Sequence, residues 1–324
     1  MIQETENDLL YLGYNIGGTQ CSIILGDKDY QILEKISFPT RVERGYRKIL
    51  DEFTGHTHEL FRIYEQSRLV KIGISCGGPL DSKQGIIYSP PNLPGWDRVP
   101  IVDIFSKEFG VAVEVQNDAN ASALAEWKMG AGVGTENMIF LTFGTGMGAG
   151  LILNGKLYTG TNDLAGEVGH MRMAEDGPVG FGKAGSFEGF CSGGGIARLA
   201  ASVVAKKLEA GEYVGFCPSK ELISKITAKS LFGAAITGDP VASEIVEISA
   251  SFLGRGLATL IDILNPECIV IGSIYTRNEA LLKPLIEKEL LTEAIPAARE
   301  VCEVRPAVLG DEIGDYAALC VALQ

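Results

Sequence analysis

Two glycine-rich turns in this sequence could bind the phosphates of a nucleotide. Gly17-Gly18-Thr19 follows one apolar run, and Gly144-Thr145-Gly146 follows a second one, Met138–Phe143. Glycine lets successive backbone N–H groups point at anionic oxygens, and the threonine hydroxyl adds a donor. Either turn alone is more often a tight hairpin without a ligand. Because the two turns occupy equivalent places in the chain, the pair favours phosphate binding.

Two better-known nucleotide-binding motifs match the sequence, but the predicted structure or the next residue does not fit either motif. Gly144 to Ala149 fits G-x-G-x-x-A, but the dinucleotide motif continues into a helix, whereas Ala149–Leu153 predicts a strand. Gly177 to Lys183 has the G-x-x-x-x-G-K spacing of a P-loop. The next residue is Ala184 rather than the Ser or Thr that holds Mg²⁺, and no buried strand precedes the motif. We therefore reject both interpretations.

Carboxylates and a histidine stand at two further places where chemistry is possible. Asp118, within Asn117-Asp118-Ala119-Asn120, lies where the predicted strand Val111–Val115 passes into a helix. A carboxylate there is a general base if it reaches a hydroxyl, or an ordinary helix N-cap. The segment Ala165-Gly166-Glu167-Val168-Gly169-His170 adds a carboxylate and a histidine between glycines. Taken alone, it is equally compatible with a simple turn.

The elements that must position these residues repeat along the chain. The pattern strand, glycine turn, strand occurs from Leu9 to Leu25 and again from Met138 to Leu153. Each copy leads into alternating strands and helices, and the long helical patterns of the second half cover about 189–209, 219–237, 240–264 and 278–291. We therefore expect an internally duplicated α/β fold with two lobes facing each other across a cleft.

Composition and charge restrict the class of protein. The chain has 324 residues, 46% of them hydrophobic and 21% charged, which suits a soluble protein of two domains. The net charge of −13 argues against nucleic-acid binding. The same charge would repel a nucleotide, so a phosphate site must rely on backbone N–H groups and a divalent cation.

The expected compartment is the cytoplasm. Seven cysteines without a CxxC pair indicate free thiols in a reducing compartment. The acidic N-terminus lacks the apolar core of a signal peptide. No apolar stretch reaches the ~20 residues of a membrane-spanning helix, so we expect no membrane partner.

The order and spacing of several motifs resemble the ROK group (repressors, open reading frames and kinases) of bacterial sugar kinases and sugar-sensing regulators. The likeness covers nearly the whole chain. The motifs are Asn15-Ile16-Gly17-Gly18-Thr19, Gly77-Gly78-Pro79, Pro91-Asn92-Leu93-Pro94-Gly95-Trp96, Asn117-Asp118-Ala119-Asn120, Phe143-Gly144-Thr145-Gly146-Met147-Gly148, Ala165-Gly166-Glu167-Val168-Gly169-His170 and Asn265-Pro266-Glu267.

The resemblance implies an actin-like or ribonuclease H-like two-lobed fold with an interlobe cleft. The smaller α/β lobe would cover residues 1–117 and be completed by the C-terminal helix 311–324. The larger lobe would cover residues 118–310. The resemblance also implies a homodimer.

The implied activity is ATP-dependent phosphorylation of a hexose at its 6-hydroxyl, with ATP and Mg²⁺ as cofactors. Asp118 matches the family's general base. The residues that match contacts to the other sugar hydroxyls are Gly78, Asn92, Asn117, Glu167, His170 and Glu188. Those that match the nucleotide contacts are Asn15, Gly17, Gly18, Thr19, Gly144, Thr145, Gly146 and Gly272, the last near the adenine and ribose. Glucose is the expected acceptor, and an N-acylhexosamine is an open alternative.

The chain departs from the family pattern at two places. Asn15 stands where the family usually has Asp, so we expect weaker metal or ATP binding. The family's structural zinc is held by three cysteines and a histidine, but the cysteine positions are Val179, Phe181 and Ser186 here. Because a zinc site needs four ligands and only His170 remains, we expect no zinc and apolar packing by Val179 and Phe181 instead.

Two other classes of function compete with the kinase. A non-catalytic or weakly catalytic sugar sensor would tolerate Asn15 and the missing cysteines. A DNA-binding regulator is disfavoured, because only about eight residues precede the first strand and a helix-turn-helix needs more. An ATPase of the actin or chaperone kind is disfavoured by Glu167 and His170. The presence of Asp118 favours an active kinase.

Overall fold

The computed structural model describes residues 9–324 as two compact units. The first comprises the described residues up to Val133 together with Leu157–Ala165 and Leu309–Gln324, and the second comprises Gly134–Lys156 and Gly166–Val308. The lobe boundaries expected after residues 117 and 310 stay a prediction. Among the helices of the described chain, none is both long enough and apolar enough to cross a membrane.

Strands and helices alternate through both units. The strands are β1 (Leu10–Ile16), β2 (Gln20–Gly26), β3 (Ile32–Pro39), β4 (Leu69–Cys76), β5 (Leu80–Asp81), β6 (Ile86–Ile87), β7 (Ala112–Asn117), β8 (Met138–Phe143), β9 (Met147–Leu153), β10 (Lys156–Tyr158), β11 (Val179–Gly180), β12 (Lys183–Ala184), β13 (Cys268–Ile271) and β14 (Glu303–Pro306). The α-helices are α1 (Tyr46–Leu60), α2 (Ile101–Phe109), α3 (Asp118–Met129), α4 (Phe187–Cys191), α5 (Gly193–Glu209), α6 (Ala228–Ile236), α7 (Pro240–Leu264), α8 (Ile274–Glu293), α9 (Pro296–Arg299) and α10 (Ile313–Ala322).

Two five-stranded sheets repeat one topology. Their strand orders are β3-β2-β1-β4-β7 and β10-β9-β8-β13-β14. In each sheet the first strand pairs antiparallel with the second and parallel with the fourth, and the fourth pairs parallel with the fifth. The prediction of an internally duplicated α/β fold is therefore confirmed.

Helices bury both faces of the first sheet. On one face the ring of Tyr14 lies 4.9 Å from the rings of Phe53 in α1 and Phe105 in α2, and its hydroxyl is 2.8 Å from Thr57 Oγ1. On the other face Ile24 packs against Leu319 of α10. Burial on both faces explains why β1 and β4 are nearly continuous apolar runs.

Local capping explains why two predicted helices are interrupted. The helix expected over 189–209 is divided at Ser192, whose side chain accepts the N–H of Gly195 and starts α5. The helix expected over 219–237 begins as a 3₁₀ turn, Lys220–Lys225, and α6 starts only after Thr227. Serine and threonine favour such caps because their oxygens satisfy exposed backbone donors.

Candidate active site

The ends of three parallel strands carry the predicted site residues of the first unit. In the sheet register Ile16 lies opposite Cys76, and Cys76 lies opposite Asn117. The turn Gly17–Thr19 follows the first strand of this row, Gly78 follows the second, and Asp118 follows the third. Backbone pairing therefore brings together three segments that are far apart in the sequence.

Thr40 holds the first glycine turn. Its Oγ1 donates to the carbonyl oxygen of Gly17 at 2.6 Å, and its N–H donates to the carbonyl oxygen of Thr19 at 2.9 Å. The Thr40 side chain is completely buried and also contacts Cys21 Sγ at 3.3 Å. Sequence reasoning missed Thr40, because a single threonine after a strand-ending proline carries no motif signal.

Asn92 lies against the same turn. A Cβ atom at Gly18 would stand 2.8 Å from the carbonyl oxygen of Asn92 and 2.9 Å from its Cβ, so only glycine permits this approach. The loop is anchored by Leu93 and Trp96, which are both fully buried. The structure thus brings the predicted residues Gly18 and Asn92 together.

The structure decides which of Asn117 and Asp118 caps α3, a point that the sequence left open. The helix N-cap is Asn117, whose Oδ1 accepts the N–H of Asn120 at 2.7 Å. Asp118 is the first residue of α3 and does not serve as the cap. Because the Asn117 oxygen is used in capping, its amide nitrogen is the group that can donate to a ligand. A Cβ atom at Gly78 would lie 3.9 Å from Asn117 Cβ.

The carboxyl group of Asp118 has a perturbed pKa. Desolvation by the surrounding protein raises the pKa above its ordinary value, although the residue remains accessible to solvent. The N–H groups of Ala119 and of Asp118 itself donate to the carboxylate and oppose this rise. A desolvated carboxylate that solvent can still reach suits a general base.

Asn15 lies near the end of β1 against the start of α10. A Cβ atom at Gly314 would stand 2.7 Å from the Asn15 amide nitrogen. The next residue, Asp315, accepts a hydrogen bond from Ser22 Oγ at 2.9 Å and forms an ion pair with Lys35. The charge of Asp315 is therefore compensated by Lys35.

The second glycine turn is held by the start of α5. Gly193 N–H donates to the carbonyl oxygen of Gly144 at 2.7 Å, and Gly194 N–H donates to that of Thr145 at 3.4 Å. Gly144 N–H closes the turn on the carbonyl oxygen of Gly146 at 3.2 Å. A strand, β9, follows the turn, as the rejection of the dinucleotide motif required.

Gly272 lies beside this turn in the second unit. It follows β13, and its N–H donates to the carbonyl oxygen of Leu141 at 3.1 Å. Ser273 Oγ lies 3.9 Å from the position that a Gly144 Cβ would occupy. The parallel pairing of β8 and β13 explains this proximity, because both strands end at the same edge of the sheet.

The segment that carries Glu167 and His170 packs closely against β9. Ala149 N–H donates to the carbonyl oxygen of Gly166 at 2.8 Å. Gly166 has a φ of 86°, and a Cβ atom there would stand 2.0 Å from the Ala149 carbonyl oxygen, so the position requires glycine. Val168–His170 then forms one 3₁₀ turn, with Glu167 and His170 exposed.

Glu188 joins the same region from α4. Its Oε2 accepts the N–H of Met147 at 3.1 Å and lies 3.2 Å from the position of a Gly146 Cβ. A Cβ atom at Gly169 would lie 3.3 Å from Glu188 Cβ. The second unit thus brings the carboxylate of Glu188 to the glycine turn as well as to the segment that carries His170.

The positions of the family's zinc cysteines form no metal cluster. The apolar packing expected of Val179 and Phe181 is wrong, because both side chains are exposed on the hairpin. Ser186 caps α4 by accepting the N–H of Gly189 at 3.1 Å. Within residues 9–324 no group of three or more His, Cys, Asp or Glu side chains is arranged to hold a metal ion. The residues present do not fit the family's zinc site.

Comparison with known proteins adds four likenesses. A model of the ROK family matches residues 11–324. A glucokinase from Halalkalibacterium halodurans is 34% identical over 313 residues, covering 95% of this chain and 93% of its own. The structure of a ROK hexokinase from Thermus thermophilus matches with a TM-score of 0.79 and 28% identity, over 97% of this chain and 98% of its own.

A ROK family glucokinase from Streptomyces griseus, solved in complex with glucose and AMPPNP, matches with a TM-score of 0.73. It is 30% identical and covers 97% of this chain and 99% of its own. These likenesses confirm the actin-like, ribonuclease H-like fold that the resemblance implied.

The contact between Thr40 and the first glycine turn generates a prediction. Thr40→Val keeps the side-chain shape but leaves the carbonyl of Gly17 without its donor, and an unsatisfied buried acceptor costs about 1–3 kcal/mol. We expect the KM for ATP to rise several-fold, while the KM for sugar changes little. Thr40→Ser retains the hydroxyl and is the matched control. Equal changes in both KM values, or none, would show that Thr40 does not position the turn.

Proposed function

The chain belongs to the ROK family, and from that premise we propose that it transfers the γ-phosphoryl group of ATP to the 6-hydroxyl of a hexose, with glucose as the acceptor. The chain is an ATP-dependent sugar kinase; the acceptor, the oxygen attacked and the role of each residue are what we propose. The proposal depends most on Asp118. Its carboxylate is desolvated and does not cap α3. It also lies at the same edge of the sheet as the first glycine turn, because both follow strands that end side by side.

Asp118 would accept the proton of the 6-hydroxyl while that oxygen attacks the γ-phosphorus. A raised pKa makes the ionised carboxylate a stronger base than an ordinary Asp. Phosphoryl transfer otherwise depends on positioning and on neutralising charge. The turns Gly17–Thr19 and Gly144–Gly146 are assigned to the phosphates through their remaining backbone N–H groups, because those of Gly17 and Gly144 donate to the carbonyl oxygens of Gln20 and Gly146.

Mg²⁺ fits this arrangement through oxygen donors. In nucleotide sites the ion is held mainly by substrate phosphates and water, with one or two protein oxygens. Asn15 would hold the ion or one of its waters through its amide oxygen. The cation would supply neutralisation of the phosphate charge, which an acidic chain needs.

The remaining residues are assigned to the sugar hydroxyls. The Asn117 amide nitrogen donates, and the carboxylates of Glu167 and Glu188 accept. His170 can do either, according to its tautomer. Gly78 and Asn92 are assigned to the wall of the sugar site in the first unit.

A homodimer is part of the proposal.

An assay of ADP release with Mg²⁺ and ATP, across hexoses and N-acylhexosamines, tests the acceptor. We expect glucose to give the highest kcat/KM. A chain that binds a sugar in calorimetry but releases no ADP with any acceptor would be a sugar sensor, the alternative that Asn15 favours. Preference for an N-acylhexosamine would correct the acceptor and keep the reaction.

Removing the base separates catalysis from binding. Asp118→Asn keeps an oxygen for the N–H groups of the first turn but cannot take a proton, so we expect kcat to fall roughly 10²–10⁴-fold with sugar affinity retained. The melting temperature should not fall, because the variant removes a desolvated charge. Near wild-type turnover of Asp118→Ala would refute the assignment of the base.

The pH dependence follows from the raised pKa of Asp118. The base acts when ionised, so kcat/KM should fall as the pH drops through that pKa. Because the pKa is raised, the acid limb should lie above the ~3.9 of an ordinary Asp. The contribution of Asp118 to folding stability changes with pH in the opposite direction to that of an ion-paired carboxylate. The folded state holds the proton more tightly, so this group favours folding at low pH and opposes it above its folded pKa. An acid limb at or below the ordinary value would contradict the prediction.

Asn15→Asp restores the charge that the family has at this position. A carboxylate binds a hard divalent cation better than an amide does, so we expect the KM for Mg·ATP to fall and kcat/KM to rise several-fold. The gain should disappear when ATP is titrated without Mg²⁺. Asn15→Ser, which restores no charge, is the control. Unchanged nucleotide affinity and rate would place Asn15 outside the reach of the metal.

A further inference from the structure

A short hairpin occupies the sequence positions at which the family holds its zinc. Strands β11 and β12 pair through Val179 with Ala184 and Gly180 with Lys183, and Phe181 stands in the connecting turn. The hairpin is followed directly by Ser186 and α4. Any group that fixes this hairpin therefore also fixes the start of the helix that carries Glu188.

Phe181 contacts the imidazole of His170. The two ring centroids are 5.2 Å apart with an interplanar angle of 84°, an edge-to-face arrangement. Such pairs are favourable because the positive edge of one ring meets the negative face of the other. The contact restricts the orientation of the His170 ring, which a zinc ion would otherwise restrict.

The backbone of Phe181 is strained and its side chain is poorly buried. Its φ is +42°, a left-handed conformation that bulky residues rarely adopt, and 74% of the residue is exposed. A strained backbone of this kind persists where the surrounding structure holds it, and such residues cluster at functional sites. Burial supplies little compensation for this strain, and in this conformation the Phe181 ring contacts His170.

Lys183 fixes the backbone of His170. Its Nζ donates to the His170 carbonyl oxygen at 2.6 Å. Phe181 thus contacts the ring of the histidine from the hairpin turn, while Lys183 binds its main chain from the second strand. Together they define both the position and the orientation of one side chain.

Hydrogen bonds join the hairpin to the chain that precedes it. The N–H groups of Met173 and Ala174 donate to the carbonyl oxygen of Gly185 at 2.8 and 3.1 Å, and Gly185 N–H donates to that of Pro178 at 3.1 Å. Arg172 Nη1 donates to the carbonyl oxygen of Ala184 at 3.1 Å. These bonds join the hairpin to the segment that follows His170.

We propose that Phe181 and Lys183 are positioning residues that hold His170 toward the sugar, and that this metal-free contact takes the place of the family's zinc. The inference rests on the proposed function, because that function assigns His170 to a sugar hydroxyl. In this inference Phe181 and Lys183 make no contact with the substrate. They act through His170, so their loss affects sugar binding and leaves ATP binding unchanged.

Four variants of the full chain test the inference. Phe181→Ala removes the ring contact, and Phe181→Tyr keeps it. Lys183→Met keeps the apolar stem but removes the donor. Tyr213→Ala is the control for losing an exposed aromatic ring, since Tyr213 is 81% exposed. The measurements are zinc content by elemental analysis, sugar binding by calorimetry, KM for sugar and for ATP, kcat and the melting temperature.

We expect the wild-type protein to hold no stoichiometric zinc and to keep its activity in chelator. Phe181→Ala and Lys183→Met should each weaken sugar binding roughly tenfold, the equivalent of about 1.4 kcal/mol. The KM for ATP and the melting temperature should stay at the wild-type values. Phe181→Tyr and Tyr213→Ala should behave as the wild type.

Three results would overturn the inference alone while the wild type remains an active kinase. They are one tightly held zinc per chain, unchanged sugar affinity in Phe181→Ala, and a joint loss of melting temperature and of both affinities, which would indicate a purely structural role. A wild-type protein that neither binds nor phosphorylates any sugar of the panel would instead overturn the proposed function, and this inference with it.

Discussion

Backbone pairing between parallel strands is the constraint on which the predicted site of each unit depends. The row formed by Ile16, Cys76 and Asn117 makes three segments end at one edge of the first sheet. The pairing of β8 with β13 does the same for the glycine turn and Gly272 in the second sheet. Backbone N–H groups are committed to the ladder within a sheet and become available only where a strand ends. A register slip of one residue would also turn every buried side chain to the opposite face, so burial and site geometry support the same register.

The acidity of the chain makes this backbone arrangement more important. The sequence has 41 acidic against 28 basic residues, so a polyphosphate meets overall repulsion that fixed N–H dipoles and a cation must offset locally. The two turns are accordingly held by other parts of their own units. Thr40 binds the carbonyl oxygens of the first turn, and the start of α5 binds those of the second. Occupying the carbonyl oxygens in this way leaves the turn donors preorganised, which reduces the ordering that ligand binding would otherwise require.

Function and stability oppose each other at particular residues. Asp118 is desolvated without an ion-pair partner among the causes of its raised pKa, which strengthens it as a base and costs folding free energy. Phe181 holds a left-handed backbone with most of its surface exposed. Both features are unfavourable locally, and the proposed reaction, which would use a reactive carboxylate and an oriented imidazole, would account for them.

The sequence alone indicated an internally duplicated α/β fold, because alternating apolar runs and glycine turns are local signals, whereas the strand pairing that joins distant segments came only from the structure. It also pointed to Asp118, Glu167 and His170, since these residues stand beside turns with a recognisable pattern. It could not decide whether Asn117 or Asp118 caps α3, because either side chain can accept the same N–H group. It gave no sign of Thr40 or Lys183, and it joined helices that Ser192 and Thr227 divide. Only the tertiary structure decided these points, because they depend on which distant backbone groups come within hydrogen-bonding distance, and that follows from strand register and packing rather than from the local sequence.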